Sequence, residues 1–147
     1  AQEDLYAARN NTFGSHYVFF MPFKLRDPGV QLEDAGTATL EGGIVVRKVR
    51  PIYAKGIGDA GGMHNWTYMF DARTGQLLCN HLQFEPNKWD WTEYYDEKRI
   101  GSMLLSTRRV GYNADANGKL GPKTNEIVYD QIETNVEFPK DFFQPPR

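Results

Sequence analysis

Cys79 and His81 stand two residues apart, a spacing that on a strand puts both side chains on one face. A thiol activated by an imidazole also needs a third group to orient the base, and nothing near this pair supplies one. A core cysteine beside a surface or cavity histidine is therefore expected, and not a nucleophile. His16 and His64 lie at no metal-ligand spacing from His81 or from each other, so no zinc set of three or four ligands assembles. Asn113, Asp115 and Asn117, followed by Gly118, resemble the opening of a calcium loop, with oxygen side chains at alternate positions ahead of a glycine turn. Thr124 then stands at the twelfth position, where that motif needs a bidentate Glu, and β-type sequence flanks the segment. Residues 113–124 are expected as a polar hairpin loop. Asp96 and Glu97 are chain neighbours that a strand would point to opposite faces, which does not make an acid–base pair. The glycines from Gly56 to Gly62 precede a strand and not a helix, so they form no phosphate cradle. An enzyme using His64 or His81 as a base would need a clustered polar trio that spacing does not reveal. A non-catalytic protein without metal or cofactor is expected.

The aromatic residues are the remaining chemical feature. With 3 Trp, 8 Tyr and 9 Phe they make up 14% of the 147 residues. Trp66, Tyr68, Phe70, Phe84, Trp89, Trp91, Tyr94 and Tyr95 crowd into three successive expected strands. Two readings stand side by side: they fill the core of a curved sheet, or they line a concave apolar surface for a lipid-like ligand or a partner's hydrophobic segment. The candidate ligand-binding surface is Trp66, Tyr68, Phe70, Trp89, Trp91 and Leu104.

Those residues must be positioned by strands, because no window of a dozen residues keeps a helical apolar period without Gly or Pro interrupting it. The exception is Asp4 to Asn10, expected as a short N-terminal helix. Strands are expected at Tyr17–Leu25, Thr37–Leu40, Ile44–Tyr53, His64–Asp71, Gln76–Phe84, Lys88–Glu97, Met103–Tyr112 and Glu126–Phe138, divided by turns such as Asp27-Pro28-Gly29 and Asp71-Ala72-Arg73-Thr74-Gly75. Short connections between about eight strands argue for an all-β, curved antiparallel meander, an open or half barrel. Pro51 cannot donate to a ladder, so its strand ends at an edge or bulge. Six basic residues and one acid lie between Lys98 and Lys123, and five acids and two bases between Glu126 and Arg147. Pairing across the last hairpin would bring the blocks face to face, although an anion site at Arg108 and Arg109 is the alternative.

Composition bounds the partners. A chain this long buries roughly 70% of its unfolded surface, enough for one domain spanning 1–147. A net charge of −2 lacks the electrostatic footprint that nucleic acid requires. The longest apolar run, Tyr17 to Met21, falls far short of the roughly 20 residues of a membrane-spanning helix. Cys79 is the single cysteine, so no intramolecular disulfide forms.

Three runs taken in order resemble a known family. The first goes from Tyr68 to Leu78, with Asp71, Thr74 and Gly75 in a D-x-x-T-G turn. The second starts at Tyr94-Tyr95-Asp96 and passes Arg99, Ile100, Gly101 and Thr107 to Arg109. The third holds Asn135-Val136, Phe138, Phe142-Phe143 and Pro145-Pro146. They are similar to the second half of bacterial envelope proteins of the lipoprotein-carrier superfamily, LolA/LolB-like, and Met21 to Val30 resembles a segment of uncharacterised secreted members. The likeness covers most of Phe19 to Pro146 and matches the C-terminal portion of a longer protein. It implies an unclosed, strongly curved sheet with an apolar concave face, in an exported protein of the periplasm or cell envelope that carries acyl chains without catalysis. Ala1-Gln2-Glu3-Asp4 would suit a mature N-terminus left by signal-peptide removal. The alternative is a structural accessory subunit docking on a larger envelope or membrane-associated assembly.

Overall fold

A computed structural model describes residues 16–57, 64–140 and 142. Seven strands form one antiparallel sheet in chain order: β1 Val30–Thr39, β2 Val45–Tyr53, β3 Asn65–Asp71, β4 Leu77–Glu85, β5 Lys88–Ile100, β6 Met103–Ala114 and β7 Leu120–Val128. Each pairs with its neighbours in sequence, and β1 does not pair with β7, so the sheet is an open meander. The turns have visible causes. Asp71 Oδ1 accepts the backbone N–H groups of Arg73 and Thr74, both at 2.8 Å, and Gly75 supplies the left-handed φ of 75° that closes the β3–β4 turn. Those same backbone donors hold the Asp71 carboxyl below the usual carboxylate range.

Three expected elements are corrected. Tyr17–Leu25 is not a strand: residues 16–19 form a helical turn and Phe23–Arg26 a 3-10 helix. Tyr17, Met21 and Leu25 recur every fourth residue, a period that suits a helical face, and all three are buried against Trp66, Tyr68, Leu77 and Tyr94. The short strand at Thr37–Leu40 is the end of the longer β1, bulged between Asp34 and Thr37 where Asp34 Oδ1 accepts the Gly36 N–H at 3.0 Å. The last strand runs over Leu120–Val128 and not Glu126–Phe138. Gln131 and Asn135 take positive φ values of 48° and 59°, which breaks any extension beyond Val128. The expected helix at Asp4–Asn10 lies outside the described residues.

Among the described residues β2 pairs with β3 at four positions, Val46 to Val49. Pro51 falls just past them, opposite Leu32 of β1, where no pair with β3 forms among the described residues and its missing N–H breaks no ladder there.

The sheet has two buried faces. Trp66, Tyr68, Leu77 and Tyr94 share one, beneath the 16–26 segment. Val46, Met69, Cys79 and Trp91 share the other, with Leu78 added to it by the bulge that pairs Cys79 with Met69 and Leu77 with Phe70.

Candidate functional site

The second face bounds a cavity of about 870 Å3. Its apolar floor is Met69, Leu78, Cys79 and Trp91, contributed by β3, β4 and β5. Ala35 and Ala38 of β1 and Leu120 of β7 reach the same cavity, although these strands are the two opposite edges of the sheet. A sheet whose first and last strands line one cavity is strongly curved. Two contacts fix that curvature at the β6–β7 turn. His81 Nε2 donates to the backbone oxygen of Asp115 at 2.9 Å, and a Cβ on Gly118 would come within 3.1 Å of the Trp91 ring. Gly118 also has a φ of 80°, so only glycine lets the turn close down on Trp91.

Charged side chains stand on opposite walls. Lys48 and Arg50 come from β2, Glu93 and Asp96 from β5, and Glu41 from the 3-10 turn between β1 and β2. The acids of β5 are already engaged. The Tyr95 hydroxyl donates to Glu93 Oε2 at 2.5 Å, and this hydrogen bond, followed by burial, pushes the phenol up to about 12. Asp96 accepts Arg108 Nε at 2.7 Å. Arg108 also donates to Glu126 at 3.3 Å and stacks its guanidinium 4.3 Å from the Tyr95 ring centre. The expected facing of basic and acidic blocks is thus seen at Arg108 and Glu126, across the β6–β7 hairpin. Arg109 points to the opposite face, so the two arginines do not make a common anion site.

Cys79 and His81 do share a face, but they make no catalytic pair. Burial, and then the nearby Glu93 carboxylate, pushes the Cys79 thiol up to about 12, which leaves almost no thiolate at neutral pH. Native protein is expected to resist a thiol-specific disulfide reagent at pH 8 and to react at one equivalent in denaturant; fast native labelling would show that the strand around Cys79 opens. His64 does not line the cavity. In the 113–124 segment Asp115 Oδ1 accepts the N–H groups of Asn117 at 2.8 Å and Lys119 at 2.9 Å, while Thr124 lies within β7. Among the described residues no three His, Cys, Asp or Glu side chains gather as a metal site.

The six residues expected to form one surface are divided between two. Trp66, Tyr68 and Phe70 lie on the face closed by the 16–26 segment, where they build the core. Trp89, Trp91 and Leu104 fall on the other by strand alternation from the observed register, yet only Trp91 lines the cavity, and Leu104 is exposed near the far end of the β5–β6 hairpin. Met69, Leu78 and Lys48 were not among the expected residues. Their signal is alternation itself, since Met69 sits between Tyr68 and Phe70 and points the other way.

No family model matches the chain, nor does any curated protein or solved structure.

Proposed function

We propose that the chain is a non-catalytic binding domain that holds an acyl chain or another apolar ligand in the cavity over Met69, Leu78, Cys79 and Trp91. One observation carries the reading: the sheet closes one aromatic face with its own N-proximal segment and leaves the other as a curved, apolar-floored cavity. About 870 Å3 lies within the range of small-molecule sites, which bury most of a ligand's surface. Covering about 300 Å2 of apolar ligand is worth roughly 7 kcal/mol before association costs. The resemblance of its short motifs to LolA/LolB-like proteins supports the same reading, in an exported carrier of the periplasm or cell envelope.

Native mass spectrometry and lipid extraction of gently purified protein are the direct test, with recovery of a bound apolar molecule as the expected result. Leu78→Glu places a carboxylate on the floor of the cavity and is expected to weaken binding of a long-chain alcohol by about tenfold or more, the worth of roughly two buried methylenes. Ala38→Glu repeats the test from β1 should the first variant fold poorly. An alcohol that binds both folded variants as tightly as the parent would sink the proposal.

A second reading, an accessory subunit docking on a larger assembly, draws on the unpaired outer edges of β1 and β7 and the exposed Leu32, Ile52, Val128 and Phe138. It predicts stoichiometric co-purification with a partner, where a carrier elutes as a monomer.

A further inference from the structure

Lys48 differs from the other lysines of the described chain. Lys24, Lys88 and Lys123 each pair with a carboxylate three residues away, and Lys55, Lys98, Lys119 and Lys140 are exposed. Lys48 is half-buried, lines the cavity, and has no carboxylate within ion-pairing distance among the described residues. Register explains why. Lys48 stands opposite Met69, Met69 opposite Cys79, and Cys79 opposite Glu93, so the nearest acid in its row is three strand spacings away, roughly 14 Å along the sheet. Of the three acids that line the cavity, Glu93 is engaged by Tyr95 and Asp96 by Arg108, and Glu41, exposed on the 3-10 turn between β1 and β2, makes no ion pair with Lys48. Arg50, two residues along β2 and on the same side, adds a second cation, whose ion pair among the described residues is with Glu33 at 3.7 Å. Trp91, 8% exposed, presents an indole Nε1 with no acceptor among the described residues. Lys48 therefore has no paired counter-charge among the described residues, and a half-buried ammonium in that state is unfavourable until one arrives.

We infer that the ligand is an amphiphile with an acidic head, a carboxylate or phosphate, whose head pairs with Lys48 while its chain lies over Met69 and Cys79. This rests on the reading of the cavity as an apolar-ligand site and adds the chemistry of the head. Arg50 supports the same charge from the rim.

The test is a tryptophan-fluorescence titration of the full chain with hexadecanoate, hexadecyl phosphate and hexadecanol. Both anions are expected to bind about tenfold tighter than the alcohol, the worth of a charge-assisted hydrogen bond. Lys48→Met should bring the anions down to the level of the alcohol measured on the same variant, and Lys48→Arg should keep the preference. A tighter carboxylate points to a free fatty acid and a tighter phosphate to a phospholipid-derived head; either supports the inference. Equal binding of acid and alcohol by the parent, or an anion preference that survives Lys48→Met, overturns it. If none of the three ligands binds, the cavity reading itself fails.

Discussion

Alanine at Trp66 is expected to cost about 3–5 kcal/mol of unfolding free energy, or roughly 10–15 °C in Tm for a chain of this size. Trp66 is 4% exposed and stacks on Tyr68 with ring centres 5.5 Å apart and planes within 7°. Tyr17 leans on it from above at 6.5 Å, and Met21 and Leu25 complete the same cluster. Deleting the indole leaves a void between the sheet and the 16–26 segment, at the centre of the cluster that Tyr17, Met21 and Leu25 form with the strands. Because the cavity lies on the opposite face, affinity for an apolar ligand in the folded fraction should stay within about twofold of the parent, as for independent sites. Chemical denaturation and a ligand titration on one preparation measure both quantities. A variant that keeps its stability and loses its ligand would return the binding surface to the Trp66 face.

That contrast shows what sequence could and could not reveal. The strands from β2 to β6 were legible because turn chemistry marks their ends, as Asp71 to Gly75 does between β3 and β4, and because apolar alternation runs cleanly through Trp66, Tyr68 and Phe70. The helical turn at 16–19 was not, since four aromatic or apolar residues in succession before Met21 mimic a buried strand. Only the four-residue recurrence of Tyr17, Met21 and Leu25 betrays it. The error passed on to the site. Aromatics gathered in adjacent strands look like one surface, but which face is covered depends on a segment distant in sequence, and local pattern carries no record of that packing. The pairing that leaves Lys48 unneutralised was hidden for the same reason, because it needs the register of four strands at once.

Replacing Arg109 with methionine is expected to raise the unfolding free energy by about 1–2 kcal/mol, the gain seen when a poorly compensated buried charge gives way to an apolar side chain of similar length. Arg109 is 5% exposed, on the core side of β6 opposite Tyr94. Its guanidinium donates to the Tyr129 hydroxyl and lies 5.1 Å from the centre of that ring, while its Nε meets no acceptor among the described residues. Asn80, 1% exposed on the same face, accepts the Tyr94 hydroxyl at 2.7 Å and leaves its own amide nitrogen without an acceptor among the described residues. One neutral phenol and a ring face offset only part of the desolvation of a guanidinium, which amounts to several kcal/mol. Tyr129→Phe separates the contributions. It keeps the ring and removes the acceptor, and should cost about 1–3 kcal/mol in the parent by stranding a charged donor. In the Arg109→Met background the same change should cost little, since no charge remains to be served. Denaturant unfolding of the four proteins gives the coupling directly. A loss of stability on Arg109→Met with no coupling to Tyr129 would mean that the guanidinium earns its place through packing along its stem, and the expectation of a strained charge in the core would be wrong.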